Sequence, residues 1–465
     1  MRCLLILLFI SCALAQSSNE NVDVVVLGAG IGGINSARTL TDNGRTNVLV
    51  LEADSRYGGR INTVFKAGYT VPVELGASFL ADSNYNPMIN LANQAQLPIL
   101  PMFFNLTKAW KDGRPLNANQ GLRILNNYEG VLNDTIPYEQ TGRSVAEAQR
   151  LSGYDSDDRG VETLLMTNEQ VYGDNLEFID SAAIDTVPGD PGDQYYLPGG
   201  YMQLVDYIID NPVSIRNKIR LGCMVTKVDY SSPNGKSVVT YWQNGIVKQV
   251  TANKVIVAVS MGVLKANTIE FVPALPALKQ NAINSVNFGS CGKTHLFFGP
   301  QAIPILAQYP VNIFYRVGKN PNPRYNDALT YFYNNQYIQN QPAVQSFYCG
   351  NFNRNLELLT DAQIVSQHMI ALKEFIPNLP QPVGYIITRW TLNPLFRGVY
   401  TDYAVGNVLS DFSQFADSVQ GKIYFASEYV GSLDSNGDLR ASLGNVYTSY
   451  IAAQVAAMKI FNNQP

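Results

Sequence analysis

The segment VDVVVLGAGIGGINSARTL constrains the fold of this chain more than any other segment. An apolar strand in it leads directly into Gly28, Gly30 and Gly33, and a helix follows these glycines. The first glycine permits a tight turn, the second lets the backbone approach a pyrophosphate, and the third lets helix and strand pack closely. A second apolar strand ends at Glu52, where an acid can accept hydrogen bonds from ribose hydroxyls. We therefore expect a βαβ unit that holds a dinucleotide at a helix N-terminus.

Two later parts of the chain return to buried strands after long insertions. SVVTYWQNGIVKQVTANKVIVAVS predicts a hairpin with its turn at Asn244-Gly245, followed by a buried strand over Val255–Val259. GKIYFASEYV predicts a further buried strand, and a final helix follows it. Because nearly continuous apolar strands are typical of parallel sheets, we expect an α/β fold. It consists of a Rossmann-like nucleotide-binding domain built from three separated segments, with an α+β substrate domain inserted twice.

The expected domain boundaries follow from these patterns. The nucleotide-binding domain takes residues 16–84, 197–270 and 384–465, and the substrate-binding domain takes residues 85–196 and 271–383.

The N-terminal segment MRCLLILLFISCALAQ is typical of a secretory signal peptide. An arginine precedes an apolar run, and Ala13-Leu14-Ala15 forms a small-x-small cleavage site. The alternative is a buried N-terminal strand. We expect residues 1–15 to be removed and the protein to be secreted. In a secreted chain, Asn105 and Asn133 are glycosylation acceptors, since each begins an Asn-x-Thr sequence.

Composition excludes several classes of function. Loss of the leader changes the net charge from −4 to −5, because it removes one arginine and no acid. Such mild acidity argues against a nucleic-acid partner, and no later apolar run predicts an integral membrane segment. Cys223, Cys291 and Cys349 would remain, which allows one disulfide but no framework of them. The two histidines, His295 and His368, form no metal-binding spacing. The oligomeric state stays open.

Several further motifs occur in order along the chain. ADSRYGGR adds a second glycine pair with Arg56 and Arg60, ELGAS ends at Ser78, and VTKV begins at Val225. RWTLNPLFRGVYTDYAVGN and IYFASEY…GNVYTSYIAAQ follow near the C-terminus. Together they resemble the flavin amine oxidase family over most of the chain, and within it the secreted polyamine oxidases. The resemblance implies the amine oxidase type of fold, in which the nucleotide-binding domain is an FAD-binding domain.

The resemblance also implies how FAD would be bound. Glu428 would meet the ribityl–pyrophosphate region, although alone it could be a surface acid. Trp390 and Tyr400 would pack beside the flavin ring, although either could be a core aromatic. Monoamine oxidases carry their flavin-linking cysteine where this chain has Val399, so we expect non-covalent FAD. The implied cofactor-binding residues are Gly28, Gly30, Gly33, Glu52, Arg56, Arg60, Gly76, Ala77, Ser78, Val225, Trp390, Tyr400, Glu428, Gly444, Asn445 and Val446.

The expected chemistry follows from the same resemblance. The flavin accepts a hydride from the carbon next to the amine nitrogen, the imine hydrolyses to an aldehyde or ketone, and O₂ becomes hydrogen peroxide. In NFGSCGKTHLFFG, Gly289 and Lys293 match the family's G-x-x-x-K strand. Lys293 would hold a water near flavin N5 and assist reoxidation, with a pKa lowered by burial. The alternative is a half-buried strand whose lysine keeps its ammonium in water.

Substrate preference depends on a few positions. Asp82 and Asp180 stand where polyamine oxidases place two acids, and such carboxylates would attract a multiply charged amine; the alternative is a pair of solvated loop acids. Phe79 lies in the stretch where L-amino-acid oxidases carry an arginine. Ala441 and Ser427 depart from the polyamine oxidase pattern. We expect oxidation of a polyamine, the alternatives being another amine class, such as an L-amino acid or a monoamine, and a flavin-bound protein with little turnover.

Overall fold

The computed structural model describes residues 16–81, 86–102, 109–155, 157–183, 194–311, 313–317, 329–433, 439–440 and 443–464. In chain order, its strands are β1 (Gln16–Leu27), β2 (Val48–Leu51), β3 (Thr63–Phe65), β4 (Pro72–Glu74), β5 (Phe79–Ala81), β6 (Leu100–Met102), β7 (Ala109–Lys111), β8 (Arg114–Pro115), β9 (Gln194–Tyr196), β10 (Ile219–Arg220), β11 (Cys223–Asp229), β12 (Ser237–Gln243), β13 (Ile246–Val257), β14 (Glu270–Val272), β15 (Asn287–Phe288), β16 (Cys291–Phe297), β17 (Ile313–Val317), β18 (Tyr331–Asn334), β19 (Ala343–Cys349), β20 (Gly384–Ile387), β21 (Thr401–Asp402), β22 (Ile423–Phe425), β23 (Ser432–Leu433) and β24 (Leu439–Arg440).

The α-helices of the same residues are α1 (Ile31–Asp42), α2 (Pro87–Gln94), α3 (Ala118–Thr135), α4 (Val145–Leu151), α5 (Arg159–Tyr172), α6 (Met202–Asp210), α7 (Met261–Lys265), α8 (Ala277–Ser285), α9 (Ile303–Leu306), α10 (Asn335–Gln339), α11 (Gly350–Glu357), α12 (Asp361–Lys373), α13 (Leu409–Ala416) and α14 (Val446–Phe461). Short 3-10 turns lie at Ile136–Tyr138, Ser181–Ala183, Arg216–Lys218, Pro300–Ala302 and Glu428–Val430.

The first sheet has the strand order β10-β2-β1-β13-β12-β11-β14, and β22 also pairs with β13. Strand β1 pairs in parallel with both β2 and β13, and β22 is parallel to β13. Strand β12 is antiparallel to its two neighbours. The expected α/β fold is confirmed. The predicted hairpin has its turn at Asn244 and Gly245, whose φ angles of 53° and 77° are those of a tight two-residue turn.

Helices cover both faces of the first sheet. Successive side chains along its strands therefore pack alternately into two cores. Val24 and Val26 face a core formed with α1, α6 and α14. Val25 and Leu27 face a second core formed with α7, α8 and α13. This double burial explains the nearly unbroken apolar sequence of β1.

Helix α1 approaches the sheet very closely. A Cβ on Gly33 would lie 1.9 Å from the carbonyl oxygen of Gly28, and a Cβ on Gly32 would lie 2.1 Å from that of Ala426, just after β22. Gly33 was expected to permit close packing of helix and strand. Position 32 requires glycine for the same reason, and the sequence alone did not indicate this requirement. Gly33 packs α1 against the first strand, and Gly32 packs it against the last segment of the sheet.

The second large sheet has the order β20-β16-β19-β18-β17-β7-β8, and a smaller sheet has the order β5-β9-β6. All seven residues of β16 are buried. The interpretation of β16 as a half-buried strand is therefore wrong, because this sheet is also covered on both faces. Strand β20 pairs with β16, although the predicted boundary placed residues from 384 onward in the FAD-binding domain. The boundaries remain a prediction.

A disulfide joins β16 to β19. Cys291 and Cys349 lie opposite each other in the antiparallel pair and are bonded, whereas Cys223 is a buried free thiol. The sequence allowed one disulfide without choosing the pair. Strand register makes the choice, since it brings only these two side chains together. Within the described residues, no helix has the length and apolar character needed to cross a bilayer.

The close approach of α1 leads to a stability prediction. We expect Gly32→Ala to lower the free energy of unfolding by roughly 1–3 kcal/mol, because the new methyl group would overlap a backbone carbonyl. The matched control is Gly130→Ala in α3, where a Cβ would meet nothing within 4 Å; there we expect a gain of about 0.5–1 kcal/mol. Urea unfolding of the purified variants measures both. An equally stable Gly32→Ala variant would contradict the close approach.

Candidate active site

The glycine turn after β1 forms one end of a crevice at the carboxyl edge of the first sheet. The Glu52 carboxylate, at the end of β2, accepts hydrogen bonds from the backbone amides of Ala29 at 2.6 Å and Asp54 at 2.7 Å. Burial raises the pKa of Glu52, and these amides oppose that shift. Gly30 precedes the first turn of α1, and a Cβ there would have nothing within 4 Å. Open space beside a helix N-terminus suits a pyrophosphate.

Two arginines organise the second glycine loop. The Arg56 guanidinium donates to the carbonyls of Tyr57, Gly59 and Ile61, so this side chain holds the loop together. Arg60 reaches instead to the end of β22, where it forms a 2.8 Å ion pair with Glu428. Arg56 therefore stabilises the loop, while Arg60 connects it to the last segment of the chain.

Glu428 is buried at the carboxyl end of β22, so the alternative of a surface acid is wrong. Its carboxylate also accepts hydrogen bonds from the backbone amide and the hydroxyl of Thr401, both at 3.2 Å. Arg60 donates in addition to the carbonyl of Val399. This network joins three distant parts of the sequence at one point. Thr401 was not singled out from the sequence, although it directly follows Tyr400.

Lys293 lies inside the protein. Its ammonium donates to the carbonyl of Gly76 at 2.5 Å, to the hydroxyl of Ser78 at 2.5 Å, and to the carbonyl of Glu74 at 3.3 Å. The ring of Phe347 lies 5.8 Å away. The alternative in which the ammonium remains in water is wrong, because the loop of ELGAS surrounds it. Burial lowers the pKa of Lys293 to about 8, while the charge of Glu74 opposes this shift.

The loop Gly76–Ala77–Ser78 itself has no room for larger residues at its start. A Cβ on Gly76 would lie 1.7 Å from the carbonyl of Arg60, and the amide of Ala77 donates to that same carbonyl. Ser78 donates back to the carbonyl of Gly76. The loop therefore lies directly against the arginine segment, and its carbonyls are turned toward Lys293.

Trp390 lies against this loop, and Tyr400 shares an apolar cluster with Trp390. Trp390 donates from its indole nitrogen to the Leu75 carbonyl at 3.0 Å. Tyr400 donates from its hydroxyl to the carbonyl of Gln170, and its hydroxyl lies 3.6 Å from the sulfur of Cys291. Both rings belong to one apolar cluster with the disulfide. The two aromatics predicted to border the flavin therefore converge with the strand that carries Lys293.

The remaining predicted cofactor residues lie in β11 and at the start of α14. Val225 is buried in β11. Gly444 has a φ of 75°, and a Cβ there would lie 3.1 Å from Tyr400. Asn445 precedes Val446, the first residue of α14. The N-terminus of α14 is thus beside Tyr400, where its amides can stabilise negative charge.

The two predicted substrate carboxylates have different outcomes. Asp180 is fully buried, and its oxygens accept hydrogen bonds from the backbone amides of Gly142, Gly406 and Ala182 at 2.7, 2.6 and 3.0 Å. It is therefore not a solvated loop acid. It is also not free to bind an amine, because three backbone amides already donate hydrogen bonds to its carboxylate. Asp82 lies outside the described residues.

Of the two residues that depart from the polyamine oxidase pattern, the structure describes one. Ser427 is buried, and its hydroxyl accepts a 3.4 Å hydrogen bond from Arg60. It therefore takes part in the network around Glu428. Ala441 lies outside the described residues.

The residues at this edge fit FAD. The open space at Gly30 and the N-terminus of α1 suit its pyrophosphate, and Glu52 can meet its ribose. Trp390, Tyr400 and the start of α14 border the place for its ring. This chain's residues would bind and orient the cofactor there, and Lys293 would place a positive charge beside it.

Comparison with known proteins agrees with this geometry. The model of the flavin-containing amine oxidoreductase family matches residues 31–433. Polyamine oxidase 4 of Oryza sativa subsp. japonica is 28% identical over 457 residues, which cover 92% of this chain and 87% of the relative. Polyamine oxidase 2 of Arabidopsis thaliana is 27% identical over 460 residues, which cover 95% and 88%.

Solved structures show the same fold. A putrescine oxidase double mutant redesigned for cofactor binding has a TM-score of 0.75 at 16% identity, covering 96% of this chain and 100% of that chain. The wild-type putrescine oxidase bound to putrescine has a TM-score of 0.74 at 15% identity, with coverage of 96% and 100%. With the family match over most of the chain, we conclude that this protein belongs to the flavin-containing amine oxidoreductase family and catalyses FAD-dependent oxidation of an amine.

Proposed function

We propose that the substrate is a polyamine and that the FAD is not covalently attached. The curated relatives named above are polyamine oxidases, and one structural neighbour was solved with putrescine. The observation that carries the chemistry is the buried ammonium of Lys293, held by the Gly76–Ser78 loop next to Trp390. A flavin oxidase must transfer electrons to O₂, and a fixed positive charge lowers the free energy of the negative charge that forms on oxygen.

The protein residues have defined tasks in this reaction. When bound, FAD accepts the hydride from the carbon next to the amine nitrogen. The cluster of Trp390, Tyr400 and the Cys291–Cys349 disulfide excludes water from this place. Lys293, with a pKa of about 8, is mostly protonated at neutral pH and can release its proton slightly above it. The aldehyde, the amine released with it when the imine hydrolyses, and hydrogen peroxide are the products that leave.

The non-covalent attachment is supported by the residue that stands at the linking position. Val399 has an apolar side chain and is buried in the cluster with Trp390. Its carbonyl accepts a hydrogen bond from Arg60. The nearby Cys291 is bonded to Cys349 and is no free thiol. Precipitation with acid should therefore release the flavin into the supernatant.

The substrate proposal is tested by the flavin spectrum and by peroxide release. We expect the purified protein to be yellow and to produce peroxide with spermine, spermidine or their acetylated forms. Monoamines and L-amino acids are the comparison substrates, and faster turnover of either would replace the polyamine proposal with that amine class. A flavin-bound protein that releases no peroxide with any of these compounds would contradict the proposed activity.

The role of Lys293 leads to a second kinetic prediction. We expect Lys293→Met to slow flavin reoxidation by O₂ by about a hundredfold, with a much smaller effect on anaerobic reduction. In the wild type, the reoxidation rate should fall as the pH rises through about 8, because Lys293 loses its charge there. Rapid-mixing measurements with prereduced protein give both rates.

Lys279 supplies a matched control for Lys293. It is also buried, its pKa is also lowered to about 8 by burial, and it donates to the carbonyls of Gln414 and Asp417 away from the loop of Gly76. Lys279→Met should leave the reoxidation rate and its pH dependence unchanged. Equal slowing in both variants would show that loss of a buried lysine, and not its place, causes the effect.

We also propose that the protein is secreted after cleavage behind Ala15. The leader-like sequence supports this proposal, and the Cys291–Cys349 disulfide is typical of an oxidising compartment. Asn133 is exposed on α3 and is accessible to glycosylation, whereas Asn105 lies outside the described residues. Expression in a secreting eukaryotic host should yield protein in the medium that begins at Gln16 and shifts in mass on glycosidase treatment. Retention in cells with an intact N-terminus would contradict the proposal.

A further inference from the structure

The two histidines of the chain are both buried but have opposite environments. The Nε2 atom of His368 lies 2.7 Å from the hydroxyl of Ser346, and its Nδ1 atom lies 2.7 Å from the carbonyl of Ile364. Among the residues that the structure describes, neither ring nitrogen of His295 makes a hydrogen bond of normal geometry, and the Glu74 carbonyl is near enough to act only as a weak acceptor. A buried polar group without a partner costs free energy, and such groups in native proteins call for an explanation. A ligand of the site provides one.

His295 lies on the same face of β16 as Lys293. The two residues are separated by one position, so their Cα atoms are about 6.8 Å apart along the strand. Lys293 lies opposite Phe347 and His295 lies opposite Gln345 in the antiparallel pair with β19. Cys291, which forms the disulfide, lies two residues before Lys293 on the same face of β16. This face therefore presents, in sequence, the disulfide beside Tyr400, then the ammonium, and then the imidazole.

The imidazole lines a cleft that lies between neighbouring strands of the second large sheet and the small sheet and is open to solvent on one side. One wall comes from the large sheet, through His295 of β16 and Gln345 of β19, and the opposite wall comes from the small sheet, through Phe79 of β5 and Tyr196 of β9. Glu74 and Ser78 also border the cleft. Because Lys293 donates to the Glu74 carbonyl and to the Ser78 hydroxyl, the cleft lies next to the loop that holds this ammonium.

The charges around the cleft are already satisfied by protein groups. The Glu74 carboxylate accepts hydrogen bonds from the hydroxyl of Thr63 and from the amide of Tyr201, and Lys293 is held by carbonyls. Burial, and then the charge of Lys293, lower the pKa of His295 to about 3, while the nearby Glu74 carbonyl opposes this shift. The ring is therefore neutral and offers one acceptor nitrogen and one N–H group. A neutral imidazole does not repel a cationic ligand.

We infer that His295 determines substrate specificity by accepting a hydrogen bond from the second nitrogen of a diamine or polyamine whose first nitrogen lies near Lys293. The inference rests on the proposed function, and it adds a residue that no motif indicated. The distance along β16 is comparable to that between two nitrogens joined by a short alkyl chain. The side-chain amides of Gln345 and Asn335 line the same cleft and offer further acceptor oxygens. A monoamine of equal carbon length would leave this position unsatisfied.

The test compares putrescine with n-butylamine, which differ only in the second amino group. Calorimetry on anaerobic, flavin-reduced protein measures binding without turnover. We expect the wild type to bind putrescine roughly tenfold to a hundredfold more tightly than butylamine, as one hydrogen bond to a charged group allows. His295→Leu should remove this preference, and His295→Gln, which keeps an acceptor, should restore part of it. His368→Leu is the matched control and should keep the wild-type ratio.

Flavin content and far-ultraviolet circular dichroism identify any variant that has not folded. If His295→Leu does not fold, the binding of the two amines is compared in His295→Gln, which keeps a polar side chain at the buried position. Equal affinities for the two amines in the wild type, or an unchanged preference in folded His295→Leu, would overturn the inference. Binding through His295 without peroxide release would refute only the proposed function. Polyamine oxidation with an unchanged preference in the variant would refute only the role of His295.

Discussion

Parallel pairing of β1 with both of its neighbours is the constraint on which the rest of this structure depends. Two parallel strands cannot be joined by a tight turn, so the chain must cross over through other elements before it returns to the same sheet. Strands β13 and β22 are contributed by segments far from β1 in sequence. The long insertions between these segments form the second large sheet. The same edge of the first sheet, where the carboxyl ends of its parallel strands meet, becomes the place where both parts of the molecule contribute residues.

The candidate site contains buried charges, and neighbouring protein groups offset the free-energy cost of removing each charge from water. A charge removed from water is tolerated only when it is paired or hydrogen-bonded. Glu428 is paired with Arg60, Glu52 accepts hydrogen bonds from two backbone amides, and Lys293 donates hydrogen bonds to two carbonyls and a hydroxyl. Asp180 follows the same rule with three backbone amides. These partners hold the side chains in place before any ligand arrives, so the site is organised by the protein itself.

The placement of the two lysines and the two histidines shows that burial alone does not indicate function. Lys279 and Lys293 have similarly lowered pKa values, but Lys279 ends on carbonyls near α13 while Lys293 ends on the loop beside Trp390. His368 has partners for both nitrogens and therefore serves packing. His295 is equally buried but borders a cleft. The position of each group relative to the crevice separates structural from functional roles.

The sequence by itself determined the βαβ unit, the need for glycine at Gly28 and Gly33, and the acid at the end of β2, because local geometry and strand period are encoded within a few neighbouring residues. The alternation of β16 also placed Lys293 and His295 on one face. Only the tertiary structure decided that both faces of β16 are buried, that Cys291 pairs with Cys349, that Asp180 is occupied by amides, and that Gly32 must be a glycine. Each of these depends on contacts between residues distant in sequence. Such contacts are set by strand register and by the packing of separate segments, which no local pattern records.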